Sequence, residues 1–184
     1  VPGQGRPQLE RVQDRRRRIG FARQRGERGV QPSLQVVEQR PGARLPDSEA
    51  LVGLISEHAG SAQWVTLCGS LPPGVPDDWY RSIADDLVLA GCRVAVDTSG
   101  AALHAVVADG APDLIKPNED ELAELTGADP GQLREALARN DLGPVIDAAA
   151  TIAEQIGGNV LATLGAVGAV LVTASGVWIG RASC

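Results

Sequence analysis

The chain has 184 residues, of which 43% are hydrophobic, 3% aromatic and 22% charged, with a formal net charge of -6. That length suits one domain with a substantial core, and the shortage of aromatics directs the core toward Val, Ile, Leu and Ala, as in a parallel α/β sheet. No apolar run approaches a membrane span, no signal-peptide apolar region follows the arginine-rich start, and Cys68, Cys92 and Cys184 lack metal-ligand spacing, so a soluble, cytoplasmic protein with reduced thiols is expected.

The net charge hides an asymmetry. Arginines gather at Arg6, Arg11, Arg15 to Arg18, Arg23, Arg25 and Arg28, whereas acids dominate from Asp47 onward. Residues 1–41 show no convincing period, and their Gly, Gln, Pro and Arg cannot bury enough surface to offset the entropy of ordering. A disordered basic segment is expected there. A nucleic-acid arm is the sharper alternative, but Phe21 is the only interleaved aromatic and no helix-turn-helix or zinc pattern follows. Lys116 is the only lysine while Arg, Gly, Ala and Pro abound, which suggests a G+C-rich gene. Out-of-frame translation of such a gene gives Arg-Gly-Pro-rich text, a third reading of this segment.

Order is expected from Arg44. Asp47 or Ser48 can cap a helix carrying Leu51, Leu54 and Ile55 and ending at Gly60. Gln63 to Cys68 reads as a buried strand that empties into Gly69-Ser70-Leu71-Pro72-Pro73-Gly74, where prolines forbid helix and glycines allow close backbone approach. Asp77 or Asp78 then caps a helix with Trp79, Ile83, Leu87 and Leu89, and Arg93 to Val96 returns as a strand closed by Asp97-Thr98-Ser99-Gly100. A helix from Ala101 to about Asp109 leads to the strand Asp113 to Lys116. This alternation predicts right-handed crossovers and a parallel sheet.

Pro117 ends that strand, Asn118 is a good N-cap, and Glu119, Asp120 and Glu121 place acid in the first turn, where the helix dipole favours it. A well-capped helix explains these residues without any ligand. Yet Lys116, Asn118 and Glu121 also sit at the C-terminal end of a strand, the edge where parallel sheets bind ligands. Helices are predicted over Gln132 to Arg139 and Val145 to Ile156, then a strand over Asn159 to Ala162, and a hairpin formed by Ala169 to Thr173 and Val177 to Ile179. Between them Thr163-Leu164-Gly165-Ala166-Val167-Gly168 reads either as a tight connection or as an anion cradle of glycine N–H groups and a threonine hydroxyl.

In order and at their spacing, Gly69-Ser70-Leu71-Pro72-Pro73-Gly74, Asp97-Thr98-Ser99-Gly100, Lys116-Pro117-Asn118-Glu119-Asp120-Glu121 and Thr163-Leu164-Gly165-Ala166-Val167-Gly168 resemble the middle of a carbohydrate kinase of the ribokinase superfamily. The likeness is greatest to the 1-phosphofructokinase and tagatose-6-phosphate kinase branch, and it runs from about Gly42 to Trp178. It implies a ribokinase-like three-layer α/β sandwich, here incomplete, with a mostly parallel sheet and a C-terminal β-hairpin over residues 42–184. It also implies an ATP-dependent phosphotransferase of the cytoplasm, using Mg²⁺, that turns a sugar phosphate such as fructose 1-phosphate into the bisphosphate. Family members are often homodimers. By the same resemblance Ser70 would contact the phosphate of the phosphosugar, with Gly69 admitting its backbone. Asn118 and Glu121 would organise Mg²⁺ and the nucleotide phosphates through water, Lys116 would add positive charge near the triphosphate, and Thr163, Gly165 and Gly168 would form the nucleotide-phosphate turn. Asp97 is expected to support the site rather than react.

These kinases carry a Gly-Ala-Gly-Asp motif after the hairpin, whose aspartate takes the acceptor's proton, and this sequence contains none. Nor does residues 1–41 match the family's N-terminal strands, Gly-Gly segment or lid. Negligible kinase activity is therefore expected from this polypeptide alone, since general acid–base help is worth ~10²–10⁴-fold and positioning is lost with it. A nucleotide-binding remnant without turnover is the alternative. His58 and His104 read as surface or boundary histidines, and Cys68 as a small core residue at a strand end.

Overall fold

A computed structural model describes residues 62–181 other than 72, the backbone of strand Ser33–Val37, and Gly53 and Ile55. The arginine tract, His58 and Cys184 lie outside the described residues, as does all of the helix expected at 47–60 except Gly53 and Ile55, which are helical.

Seven strands form one sheet in sequential order: β1 (Ser33–Val37), β2 (Trp64–Cys68), β3 (Arg93–Asp97), β4 (Leu114–Ile115), β5 (Asn159–Thr163), β6 (Ala169–Thr173) and β7 (Gly176–Gly180). The first five are parallel, and β6 and β7 turn back as an antiparallel hairpin. Among the described residues from 62 onward the helices are α1 (Trp79–Leu89), α2 (Gly100–Asp109), α3 (Glu119–Thr126), α4 (Pro130–Ala138) and α5 (Gly143–Ile156). The α/β class, the parallel sheet and the hairpin are as the sequence predicts. One strand falls in the stretch read as lacking order: β1 pairs with β2 from Ser33↔Trp64 to Val37↔Cys68.

Sequential parallel order with crossovers of one hand puts successive helices on the same face of the sheet. The burial pattern agrees. Val65 and Leu67 of β2 lie in register with Val94 and Val96 of β3, Val96 with Ile115, Ile115 with Val160, and Val160 with Val172. All are buried against Leu103, Val106, Leu122, Val145, Ile152 and Ile156 of the helices in a single core. The alternate residues, among them Thr66, Cys68, Ala95, Asp97, Leu161 and Leu171, are only half-buried. The described helices thus form one layer on a single face of the sheet. Cys68 follows from this parity: with Leu67 inside, Cys68 faces away from the helices, and the buried thiol is Cys92.

Local rules explain the elements that carry the strand ends. In α3 the Asn118 side chain accepts N–H bonds from Asp120 and Glu121, both at 2.9 Å, and the Glu121 carboxylate accepts the Asn118 N–H at 2.9 Å. This reciprocal capping box starts the helix, and Gly127 in the left-handed region ends it. Asp129 caps α4 with Pro130 behind it. At α1 Asp78 is the N-cap residue but makes no capping bond, and pairs with Arg81 instead. Just before β4, Asp113 ties the strands on either side together: its carboxylate accepts the Val94 N–H at 3.0 Å and its carbonyl accepts the Asn159 N–H at 2.9 Å.

Candidate functional site

The C-terminal ends of β2, β3, β4 and β5 lie along one edge of the sheet, as parallel strands require, and each delivers one of the four sequence motifs. Backbone bonds stitch neighbouring motifs together. The Gly69 N–H donates to the Asp97 carbonyl at 2.9 Å, and the buried Thr98 hydroxyl donates to the Gly69 carbonyl at 2.9 Å. Gly69 has φ +100, a conformation that glycine alone adopts without strain. Its N–H is therefore occupied, and what it offers a ligand is the exposed Ser70 held just beyond it.

Lys116 follows β4 and reaches across to β3, where its Nζ lies 3.1 Å from Asp97 Oδ1, with both side chains 39% exposed. Asn118 forms a parallel bridge with Thr163, whose N–H donates to the Pro117 carbonyl at 2.9 Å. Ser70, Asp97, Lys116, Asn118 and Thr163 thus share one rim. Three strand spacings separate the Ser70 loop from the Thr163 turn, roughly 14 Å at the usual 4.7–4.9 Å per step.

The Thr163 turn is partly closed on itself. Gly165–Val167 forms a 3-10 turn in which the Leu164 N–H donates to Gly168 O at 2.9 Å and the Val167 N–H to Leu164 O at 3.0 Å. The Gly168 N–H turns back to Gly165 O at 3.3 Å. The N–H groups of Gly165 and Ala166 have no partner among the described residues, so these two, with the Thr163 hydroxyl, are the donors an anion would meet. Gly168 has a separate reason to be glycine. At φ +121, a Cβ there would lie 2.0 Å from the Gly180 carbonyl oxygen of β7.

Electrostatically the rim is poor in cations. Lys116 is matched by Asp97, and Glu119, Asp120 and Glu121 stand beside it. The capping box occupies the N–H groups of Asn118, Asp120 and Glu121, so the start of α3 is no direct anion site. Glu121 Oε1 and the Asn118 amide nitrogen remain without protein partners among the described residues. Mg²⁺ takes one or two carboxylates together with phosphate oxygens and water, and Glu121 Oε1 is a carboxylate oxygen that could serve such an ion. Among the described residues no three His, Cys, Asp or Glu side chains form a metal cluster.

Cys68 opens onto the same rim. Burial pushes its thiol above the ordinary 9.0, the Asp97 carboxylate adds to the rise, and the Lys116 ammonium opposes it. Two supports are not evident from the sequence. The Tyr80 hydroxyl donates to the Cys68 carbonyl at 3.0 Å, pinning the end of β2 to the start of α1. His104 meets Glu124 across α2 and α3 at 3.1 Å; it is a surface histidine, as expected, but has a carboxylate partner from another helix. Both contacts join residues whose spacing follows no local rule. A cavity of about 420 Å³ lies between α4 and α5, lined by Asp129, Gln132, Arg139, Asp147 and Thr151. None of the motif residues borders it.

Comparison with known proteins gives the chain's family. Residues 32–182 match the model of the pfkB family carbohydrate kinases. The chain is 39% identical over 127 residues to a 1-phosphofructokinase of Rhodobacter capsulatus, an alignment covering 68% of this chain and 37% of that protein. Phosphofructokinase-2 of Escherichia coli in complex with fructose-6-phosphate superposes with a TM-score of 0.59 at 28% identity, over 79% of this chain and 46% of that one. The tetrameric inhibited form of the same enzyme gives a TM-score of 0.57 at 28% identity, over 78% and 45%. The chain thus spans between a third and a half of the length of these relatives.

Proposed function

Because the chain belongs to the pfkB family of carbohydrate kinases, we propose that it forms the nucleotide-binding half of an ATP-dependent sugar-phosphate kinase whose acceptor is fructose 1-phosphate. The single observation that carries this reading is the rim itself. Four motifs distant in sequence are joined by the Gly69–Asp97, Lys116–Asp97 and Thr163–Pro117 contacts into one ligand-sized edge. Fructose 1-phosphate is preferred over fructose 6-phosphate or tagatose 6-phosphate because the relative at 39% identity is a 1-phosphofructokinase.

In this reading the Thr163 hydroxyl and the N–H groups of Gly165 and Ala166 hold phosphate oxygens of the nucleotide. Lys116, kept in place by Asp97, turns its ammonium toward the transferring group. Ser70 meets the phosphate of the acceptor sugar at the far end of the rim. Glu121 Oε1 would accept hydrogen bonds from waters on Mg²⁺ and the Asn118 amide N–H would donate to a phosphate oxygen; the ion, when bound, would supply charge neutralisation for the phosphates. Each of these groups binds or positions. None takes the proton from the acceptor hydroxyl, so the 184-residue polypeptide alone should bind nucleotide without turnover.

Isothermal calorimetry with Mg·ATP tests the reading, run beside an assay for fructose 1,6-bisphosphate. Binding that weakens at least tenfold in Thr163→Val and in a folded Asn118→Ala variant, with no product formed, supports it. Binding unaffected by both variants, or none by the parent chain, overturns it, and rapid turnover of fructose 1-phosphate overturns the division of labour.

A further inference from the structure

We propose that Thr98 is a positioning residue for anion recognition: its buried hydroxyl holds the Gly69–Ser70 peptide so that the Ser70 backbone N–H, beside the Ser70 hydroxyl, faces the acceptor's phosphate. The role rests on the reading in which Ser70 meets that phosphate. It adds a second donor there and the residue that aims it.

Two consecutive peptide groups lead into Ser70, and they are held differently. The Cys68–Gly69 peptide is fixed at both ends, its carbonyl accepting the Tyr80 hydroxyl at 3.0 Å and its N–H donating to the Asp97 carbonyl at 2.9 Å. The Gly69–Ser70 peptide is fixed at one end only. Its carbonyl accepts the Thr98 hydroxyl at 2.9 Å, while the Ser70 N–H has no partner among the described residues and Ser70 is exposed. This peptide is trans, and in a planar trans peptide C=O and N–H point in opposite directions. Thr98 is only 6% exposed, so its bond draws the carbonyl toward a buried atom and turns the Ser70 N–H the other way.

The backbone by itself does not choose this orientation over its reverse. Gly69, at φ +100, has no Cβ to oppose rotation of the peptide that follows it. Nor does packing call for the hydroxyl, since valine has nearly the shape of threonine and carries no oxygen that must find a partner when buried. What the hydroxyl decides is the sign of the group offered to a ligand. With the carbonyl held inward an anion meets an N–H donor, and such bonds to an ionised oxygen are roughly twice as strong as neutral ones. With the peptide reversed it meets a carbonyl oxygen and is repelled.

Residue-resolved NMR of the isotopically labelled full chain tests this, with fructose 1-phosphate and, separately, inorganic phosphate as probes. Titration should move the Ser70 amide proton downfield, as an N–H donating to an oxyanion does, and leave the Gly69 amide, already bonded to Asp97, nearly unmoved. Thr98→Val should abolish that shift and weaken binding at least about tenfold, with the amides of β3 and α2 still dispersed. Thr98→Ser, which keeps the hydroxyl, should restore both. Tyr80→Phe removes a bond from the neighbouring carbonyl and should cost stability while the Ser70 shift persists, a contrast that a purely structural role for Thr98 would not give. Binding that Ser70→Ala weakens while the parent's Ser70 amide stays unmoved overturns the role of Thr98 and leaves that of Ser70 standing, an outcome that does not depend on Thr98→Val folding. Thr98→Val binding as the parent does has the same meaning. Binding of neither probe near Ser70, or equal binding by the parent and Ser70→Ala, overturns both.

Discussion

Replacing Asn118 separates what the capping box does for the fold from what it does for the ligand. Asn118 Oδ1 accepts two backbone N–H groups, and its own N–H is held by Glu121, each at 2.9 Å. Asn118→Ala removes the first two bonds and leaves those donors to water, a loss of about 0.5–2 kcal/mol for an N-cap. The site is part-buried where Glu121 joins it, so the upper half of that range is expected. Asn118→Asp keeps an acceptor in the same place and adds a negative charge at the helix start, worth about 0.3–1 kcal/mol in the stabilising direction. The acid nevertheless brings one more negative charge to a rim proposed to receive phosphates. Urea unfolding followed by circular dichroism should therefore rank Asn118→Ala well below the parent and Asn118→Asp at or above it. Mg·ATP affinity should fall in both. Equal stability of the two variants would refute the capping argument, and an undiminished affinity in Asn118→Asp would refute the electrostatic one.

Four further outcomes follow from the geometry. Gly168→Ala should destabilise the chain by about 2–3 kcal/mol, in the range of overpacking strain, because the added Cβ would lie 2.0 Å from Gly180 O at a φ of +121; a melting temperature within error of the parent would contradict this. Thiol alkylation at Cys68 should titrate with a midpoint above 9.0, lowered by Asp97→Asn and raised by Lys116→Gln, since the carboxylate pushes the thiol up and the ammonium pulls it down. A thiol whose proton is held more tightly in the folded state stabilises below its unfolded value, and that contribution is lost as pH rises through the folded one. Cys92, raised by burial, adds to the same loss, so stability should decline on the alkaline side, measured as urea midpoint against pH. Glu124→Gln should change stability by less than about 1 kcal/mol, because its partner His104 is 45% exposed and Glu124 itself 61%.

The sequence was most legible where a local rule decides the structure. Asn118, the acids behind it and Leu122 announce a capped helix, and α3 has that cap. The prolines around the β4 stretch and the Ala174-Ser175 turn mark the short strand and the hairpin. Strand β1 is harder to see, because Leu34, Val36 and Val37 stand among polar residues and their pairing is set by β2, a partner about thirty residues away. Cys68 was misread for a related reason: strand existence is a local property, whereas the face a residue occupies depends on which parity meets the helices. The four motifs were identifiable by pattern, but their couplings were not. That Lys116 would lie against Asp97, or that Gly69 would spend its N–H on the Asp97 carbonyl, depends on β2, β3 and β4 being neighbours in register.

Lys116 allows the proposed nucleotide-binding rim to be tested at one atom, since it is the only lysine in the sequence. Its acylation by an amine-reactive reagent can be followed by peptide mass spectrometry, with the α-amino terminus of the polypeptide under test as internal reference. Mg·ATP should slow labelling at Lys116 several-fold and leave that terminus unchanged, and Thr163→Val should remove the protection. Labelling of Lys116 at the same rate with and without saturating Mg·ATP would contradict the placement of the nucleotide on this rim.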